Sequence, residues 1–242
     1  MNTAIFPYLG AFIVGFGKAG FASGISLLQT PLLAYAYKAR QAIGLVLPLL
    51  IFADIMTVSV YWKKWDFSRI KWPILGCIFG IALGMIFVNS VSDKWLKHSL
   101  GATALFLTAL LLVRDIWYPS KTYVPHWWQG VLVGVLAGFS STLAHAAGPI
   151  MALYLIAQKM DKQTFVATTS LFFFVTNLLK LPPYVVSGIV NVEVLKIDLH
   201  LLPMIPLGIG VGWLMNRWLP QKYFVYVVYV LLIVTGVDLV VK

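Results

Sequence analysis

The chain has 242 residues, of which 60% are hydrophobic and 11% charged, and its mean hydropathy is +0.89. This composition predicts an all-α integral membrane protein and excludes a separate soluble domain, because no polar stretch is long enough to form one. The net charge of +10 does not point to nucleic acid. The basic residues sit mostly in short loops between apolar runs, where they set topology and meet anionic headgroups of the bilayer. The lone cysteine, Cys77, lies in an apolar run. It excludes an internal disulfide and a multi-cysteine metal site, and reads as a packing residue. The first residues lack the basic stretch and cleavage site of a signal peptide, so no processing is expected.

In chain order, residues 5–37 are apolar but interrupted by GFGKAG at 15–20 and again at Gln29-Thr30-Pro31. Lys38 and Arg40 close the segment. Residues 42–62 form a helix of spanning length that carries Asp54, followed by a basic loop with Lys63, Lys64, Arg69 and Lys71. Residues 72–91 span next, with Gly76, Gly80 and Gly84 on one small-residue face. Residues 96–117 span again, and the 119–125 linker is bordered by the interfacial anchors Trp117, Trp127 and Trp128. A broken region covers 127–157. Then come spans at 164–187, holding Asn177, Lys180 and Pro182-Pro183, at 194–219, and at 223–241.

The stretch 130–149, GVLVGVLAGFSSTLAHAAGP, cannot be one simple membrane helix. Gly130, Gly134 and Gly138 bare one face for close helix approach. A polar knot of Ser140, Ser141, Thr142 and His145 follows, and Gly148-Pro149 ends one helix and begins another. Unpaired backbone at membrane depth persists only where it lines a protein-walled or watery cavity. A helix beginning at Pro149 would aim its amides and positive dipole end at that cavity, which suits an anion. The competing reading is a packing helix with a harmless kink.

Two halves, 1–120 and 121–242, match in organisation. Each has a Gly-rich segment broken before a proline (Pro31, Pro149), a basic turn, and a helix with a polar residue (Asp54, Asn177). Each ends with a helix opening near a proline (Pro73, Pro203) and a last apolar helix. Residues 5–16 would make roughly 18 Å of helix, too short for a bilayer core of about 30 Å. If both broken segments are re-entrant hairpins, each half crosses three times and the halves are inverted. One side then holds Lys63, Lys64, Arg69, Lys71, Arg114, Lys121, Lys159, Lys162, Arg217 and Lys222, and the other holds Lys38, Arg40, Lys94, Lys97, Lys196 and Lys242. Full crossings would give an even split, so the positive-inside rule favours hairpins, with both termini outside and the 63–71 loop inside. A tilted or full crossing stays open.

These residues resemble the sulfite exporter TauE/SafE family. VGFGKAGFASGISLLQTPLL is similar to the family's Gly-rich opening, and the stretch from QAIGLVLPLL to GCIFGIALG resembles its second and third helices. GVLAGFSSTLAHAAGPIMALYLIAQ is similar to the second Gly-rich box, and TTSLFFFVTNLLKLPPYVVSG to a further characteristic run. Where the family often has a small Gly-rich string before Gly-Pro, this chain has Leu-Ala-His-Ala-Ala. The resemblance implies transport of sulfite or a related organosulfur or carboxylate anion across the inner membrane of a bacterial cell.

Lysine inside a membrane helix costs about 2.5–3.5 kcal/mol at the bilayer centre, so Lys180 reads as an anion ligand or partner of a buried acid, against the alternative that it snorkels near Pro182. Asp54 is a proton carrier or half of an ion pair with Lys180 or Lys18, and Lys18 is an electropositive wall or an interfacial lysine. His145, with an ordinary pKa of about 6.5, is a coupling group or a packing histidine. Hydroxyl and amide residues donate to oxyanions, although isolated Ser and Thr in membrane helices more often bond their own backbone; Thr169 belongs to this group.

The candidate anion-binding set is Gly17, Lys18, Ser23, Gln29, Thr30, Ser140, Ser141, Thr142, His145, Gly148, Ser170, Asn177 and Lys180. The coupling candidates are Asp54 and His145, with a proton or sodium ion as the coupled species. No cofactor or metal is expected, and a homodimer is a candidate assembly. The favoured function is a secondary transporter working by alternating access. The rivals are an anion channel, a membrane assembly partner, and an intramembrane enzyme. For the enzyme, the histidines at 98, 126, 145 and 200 and the single cysteine give no workable spacing.

Overall fold

The computed structural model describes residues 5–18, 25–116, 124–218 and 221–241, and among them all regular structure is helical, without strands. The α-helices are α1 (Ile5–Lys18), α2 (Gln29–Leu33), α3 (Ala39–Val60), α4 (Lys71–Ser90), α5 (Asp93–Ile116) and α6 (Trp127–Ala144). They continue as α7 (Gly148–Ile156), α8 (Lys162–Val186), α9 (Val192–Leu201), α10 (Met204–Trp218) and α11 (Gln221–Val241). Two short 3₁₀ turns lie at Ile25–Leu28 and Phe67–Arg69. Starts are fixed by local chemistry: the Asp161 carboxylate accepts from the Gln163 and Thr164 amides to begin α8. His126 and Gln129 form a reciprocal capping box at α6.

Among the described residues four helices are long and apolar enough to cross a membrane: α3, α4, α6 and most of α8; α9 and α10 together make a fifth candidate. The spans at 42–62, 72–91 and 164–187 therefore form as expected. The span at 194–219 does not. It is two helices bent by 43° at Leu202-Pro203. Pro203 has no amide for the Leu199 carbonyl and its ring crowds that position, so the first helix stops there. The second interruption expected near Gln29 also differs, because helix α2 begins at Gln29 and carries Pro31 within its first turn.

The first segment folds back on itself. Gly17 lies beside Ile25 and Gly10 beside Leu33, and the Phe6 ring stacks on Tyr35 at 5.3 Å. In the second broken segment, α7 returns along α6, bringing the Tyr154 hydroxyl to Gly130. The tertiary bonds define two ends of the bundle. At one end Asp93 accepts from the Ala39 and Arg40 amides, both at 3.1 Å, and Asn89 donates to Ser187. At the other, the Asp66 amide donates to Thr168 at 2.9 Å and Arg69 donates to Gln158 at 3.1 Å.

Helix α4 packs most extensively on α6, α1 on α10, α5 on α11 and α3 on α8. The first two pairs are built alike. Gly76 sits against the Val131 carbonyl and Gly134 against the Pro73 carbonyl; Gly15 sits against the Ile205 carbonyl and Gly208 against the Phe12 carbonyl. A Cβ at Gly76 would stand 1.9 Å from the Val131 oxygen, so only glycine permits this backbone-on-backbone contact. The outward faces are apolar, as at Ile78, Phe79, Leu83 and Ile86 of α4, which suits a lipid surround.

Candidate functional site

The two broken segments touch. Gln29, at the start of α2, donates to the His145 carbonyl at 3.5 Å, and Thr30 donates to the Ala144 carbonyl at 2.9 Å. These carbonyls belong to the end of α6, which α6's own ladder leaves without partners. The sequence named the polar residues of both breaks, and the fold brings them together across more than a hundred residues.

Helix α6 ends in an unusual way. His145 has φ 53° and ψ 36°, the left-handed region. Its amide donates to the Ser141 carbonyl and the Ala146 amide to the Ser140 carbonyl, the C-terminal closure that usually has glycine at this position. A Cβ there costs about 1–2 kcal/mol. The ring offsets this by bonding at both nitrogens: Nε2 lies 2.9 Å from the Ile43 carbonyl, and Nδ1 lies 2.8 Å from Lys180 Nζ. A carbonyl only accepts, so Nε2 carries the proton and Nδ1 accepts from the lysine. The departure from a Gly-rich string thus has a structural consequence: it supplies an acceptor to Lys180.

Lys180 is 0% exposed. Besides His145 it donates to the Ser141 hydroxyl at 2.9 Å and the Ser141 carbonyl at 3.3 Å. All three acceptors are neutral. Snorkelling is therefore overturned for this residue, since its ammonium is held inside the bundle. Beside it, Lys18 and Asp54 form an ion pair. The second Asp54 oxygen accepts from Asn177 Nδ2 at 2.6 Å, and the Lys18 ammonium lies over the Phe173 ring at 5.1 Å. Helix α8 thus turns one face inward, with Asn177, Lys180 and Tyr184 spaced three and four apart. Tyr184 was not singled out from the sequence. Its hydroxyl donates to the Thr142 carbonyl at 2.7 Å and its ring meets His145 edge-on. The signal was its position one turn beyond Lys180.

Other candidates are placed less directly. Thr142 and Thr169 donate to carbonyls of their own helices, Gly138 and Phe165. The Ser140 hydroxyl donates to Ala137 at 3.2 Å and lies 3.5 Å from the Ala146 carbonyl. Gly148 is buried at the first position of α7, Gly17 is half-buried on α1, and Ser170 is buried on α8. Ser23 lies outside the described residues. Among the described residues Gln29 Oε1 is buried without a hydrogen-bond partner. Cys77 packs beside the site, 3.5 Å from the Thr176 hydroxyl. Among the described residues no group of three or more His, Cys, Asp or Glu gathers to hold a metal.

The charges inside are two lysines and one aspartate, with His145 neutral in this hydrogen-bond pattern. Lys18 is matched by Asp54, and the Lys180 amine contacts no carboxylate among the described residues, so its protonation would leave one unmatched positive charge. Such an arrangement can hold an anion, and the surrounding hydroxyl and amide groups can replace part of its water.

Comparison with known families gives one match. The family model for sulfite exporter TauE/SafE covers residues 8–239. The chain belongs to the sulfite exporter TauE/SafE family. No curated protein and no solved structure matches it. TauE/SafE membership makes this chain a multi-pass membrane transporter, and the apolar helices of spanning length agree with that.

Proposed function

We propose that this TauE/SafE protein is a secondary transporter that moves sulfite or a related small organosulfonate or carboxylate anion through the site at Lys180. The observation that carries this reading is the buried ammonium whose three contacts are all neutral. A buried charge is expensive unless compensated, and here the compensation is supplied by the bound anion. Lys18 is already matched by Asp54, so one negative charge balances the whole cluster.

The two halves, 1–120 and 121–242, are inverted repeats, and each broken segment is a re-entrant hairpin. The exchanged pairing supports this: the first helix of each half packs on the Pro-initiated helix of the other, with the same glycine-on-carbonyl contact. Alternating access follows when one such pair moves against the other about the site. With the cell interior negative, uncoupled export of a monoanion gains about 2.3 kcal/mol per 100 mV, whereas uptake would need a coupled ion.

The test is flux in proteoliposomes with sulfite, sulfate, thiosulfate, sulfoacetate and acetate, under imposed potentials. Saturable movement of one of these, lost in Lys180→Gln, is the expected result. Movement that does not saturate would favour a channel, and no movement from folded protein would favour an assembly role.

A further inference from the structure

Asp198 stands apart from the anion site, in a span the sequence read as simply apolar. It is 3% exposed, and among the described residues neither carboxyl oxygen has a hydrogen-bond partner. Helix α9 buries one face, Val194, Asp198 and Leu201, while Glu193, Lys196 and His200 are exposed. The carboxyl therefore sits in the middle of the apolar stripe that docks α9 on the bundle.

The charged and titratable groups around it are otherwise engaged. Helix α9 packs on α3 and α1. From α3, Arg40 donates to the Val88 and Val91 carbonyls, and Asp54 is held by Lys18 and Asn177. From α1 come Lys18, paired with Asp54, and Tyr8. The turn before α3 contributes Tyr37. Burial, as the largest cause, holds the Tyr37 phenol above its ordinary value, and Tyr37 makes no hydrogen bond to the carboxyl. Helix α10 has one titratable residue, Arg217, at its far end. An ionised carboxylate in this setting would be several kcal/mol out of balance. A bound metal cation would need several further oxygen ligands, and among the described residues no acidic cluster supplies them.

We propose that Asp198 binds an exchangeable proton and is a coupling site separate from the Lys180 site. In the docked state the carboxyl is neutral. When its O–H bond breaks, the proton passes to water and the carboxylate needs hydration, which loosens α9. Helix α10 begins just past α9 and carries the Ile205 carbonyl on which Gly15 of α1 rests. Helix α1 ends in Lys18, so the proton on Asp198 biases the position of the Lys18–Asp54 pair. The coupling step rests on the transport reading; the proton site itself does not.

Two measurements test it. Infrared spectroscopy of the purified protein at neutral pH should show the carbonyl stretch of a protonated carboxylic acid, shifted in heavy water and missing from Asp198→Asn. Its absence from the wild type, or its persistence in the variant, overturns the proposal. In proteoliposomes, a difference of two pH units should drive sulfite accumulation of up to about a hundredfold if one proton accompanies each anion. Asp198→Asn should keep saturable downhill movement and lose the accumulation, while Asp198→Glu keeps both. Accumulation by Asp198→Asn equal to the wild type, or accumulation that follows a sodium gradient instead, overturns the coupling role. A wild type that shows the infrared band but moves no sulfite overturns the transport reading and supports the proton site.

Discussion

Lys180 and His145 are placed by one another. The histidine occupies a backbone position suited to glycine, and the lysine amine donates to its ring and to the Ser141 hydroxyl. A hydrogen bond to a charged group is worth about 1.5–3 kcal/mol. Lys180→Gln should therefore lower kcat/KM for the transported anion roughly 10–150-fold, measured as initial flux, with KM raised. His145→Gly and His145→Ala separate backbone from side chain. Both lose the ring's two hydrogen bonds, but only alanine keeps a Cβ in the left-handed region, so the glycine variant should be more stable by about 1–2 kcal/mol in a thermal-unfolding comparison. Equal stabilities would remove backbone strain from the account. The Lys18–Asp54 pair gives a third test. Removing one partner of a buried pair costs about 3–5 kcal/mol, whereas removing both can be nearly neutral. Asp54→Asn should unfold well before wild type, and the double variant Lys18→Met with Asp54→Asn should recover most of the loss.

Among the helices, glycine decides which faces meet. Gly134 would put a Cβ 2.0 Å from the Pro73 carbonyl, while Gly210 has nothing within 4 Å. Overpacking costs about 1–3 kcal/mol, so Gly134→Ala should lower Tm by several degrees and Gly210→Ala should leave it unchanged. This packing was legible in the sequence because Gly130, Gly134 and Gly138 recur every fourth residue. So was the α6–α7 break, signalled by Gly148-Pro149. What stayed hidden depends on distance along the chain. His145 bonds a carbonyl 102 positions away and Asn177 a carboxylate 123 positions away. Backbone carbonyls such as that of Ile43 leave no mark in residue identity. The division of α9 from α10 was half visible. Pro203 signalled a helix start, but the apolar run continues through it, and hydropathy alone merges the two. That merging also concealed Asp198, which reads as one acid near the edge of a long span until the bend turns it inward.

At the scale of the whole chain, the contacts at the two ends of the bundle group the loops by end, and the charge of each end predicts which one faces inside. The end holding Lys63, Lys64, Arg69 and Lys71 is the more basic one, so it should face the cytoplasm. The proposed inversion makes a sharper demand: if the two halves are inverted, equivalent positions in them lie on opposite faces. Lys38, just before α3, and Gln163, at the start of α8, are such a pair, and both are exposed. The native thiol does not interfere, because Cys77 is buried. Lys38→Cys and Gln163→Cys variants can each be treated with a membrane-impermeant maleimide on intact cells and again after permeabilisation. The first should label in intact cells and the second only after permeabilisation. Reversal of both would invert the orientation while keeping the repeat. Labelling of both from the same face would sink the inversion, and with it the idea that the two broken segments approach the Lys180 site from opposite sides of the membrane.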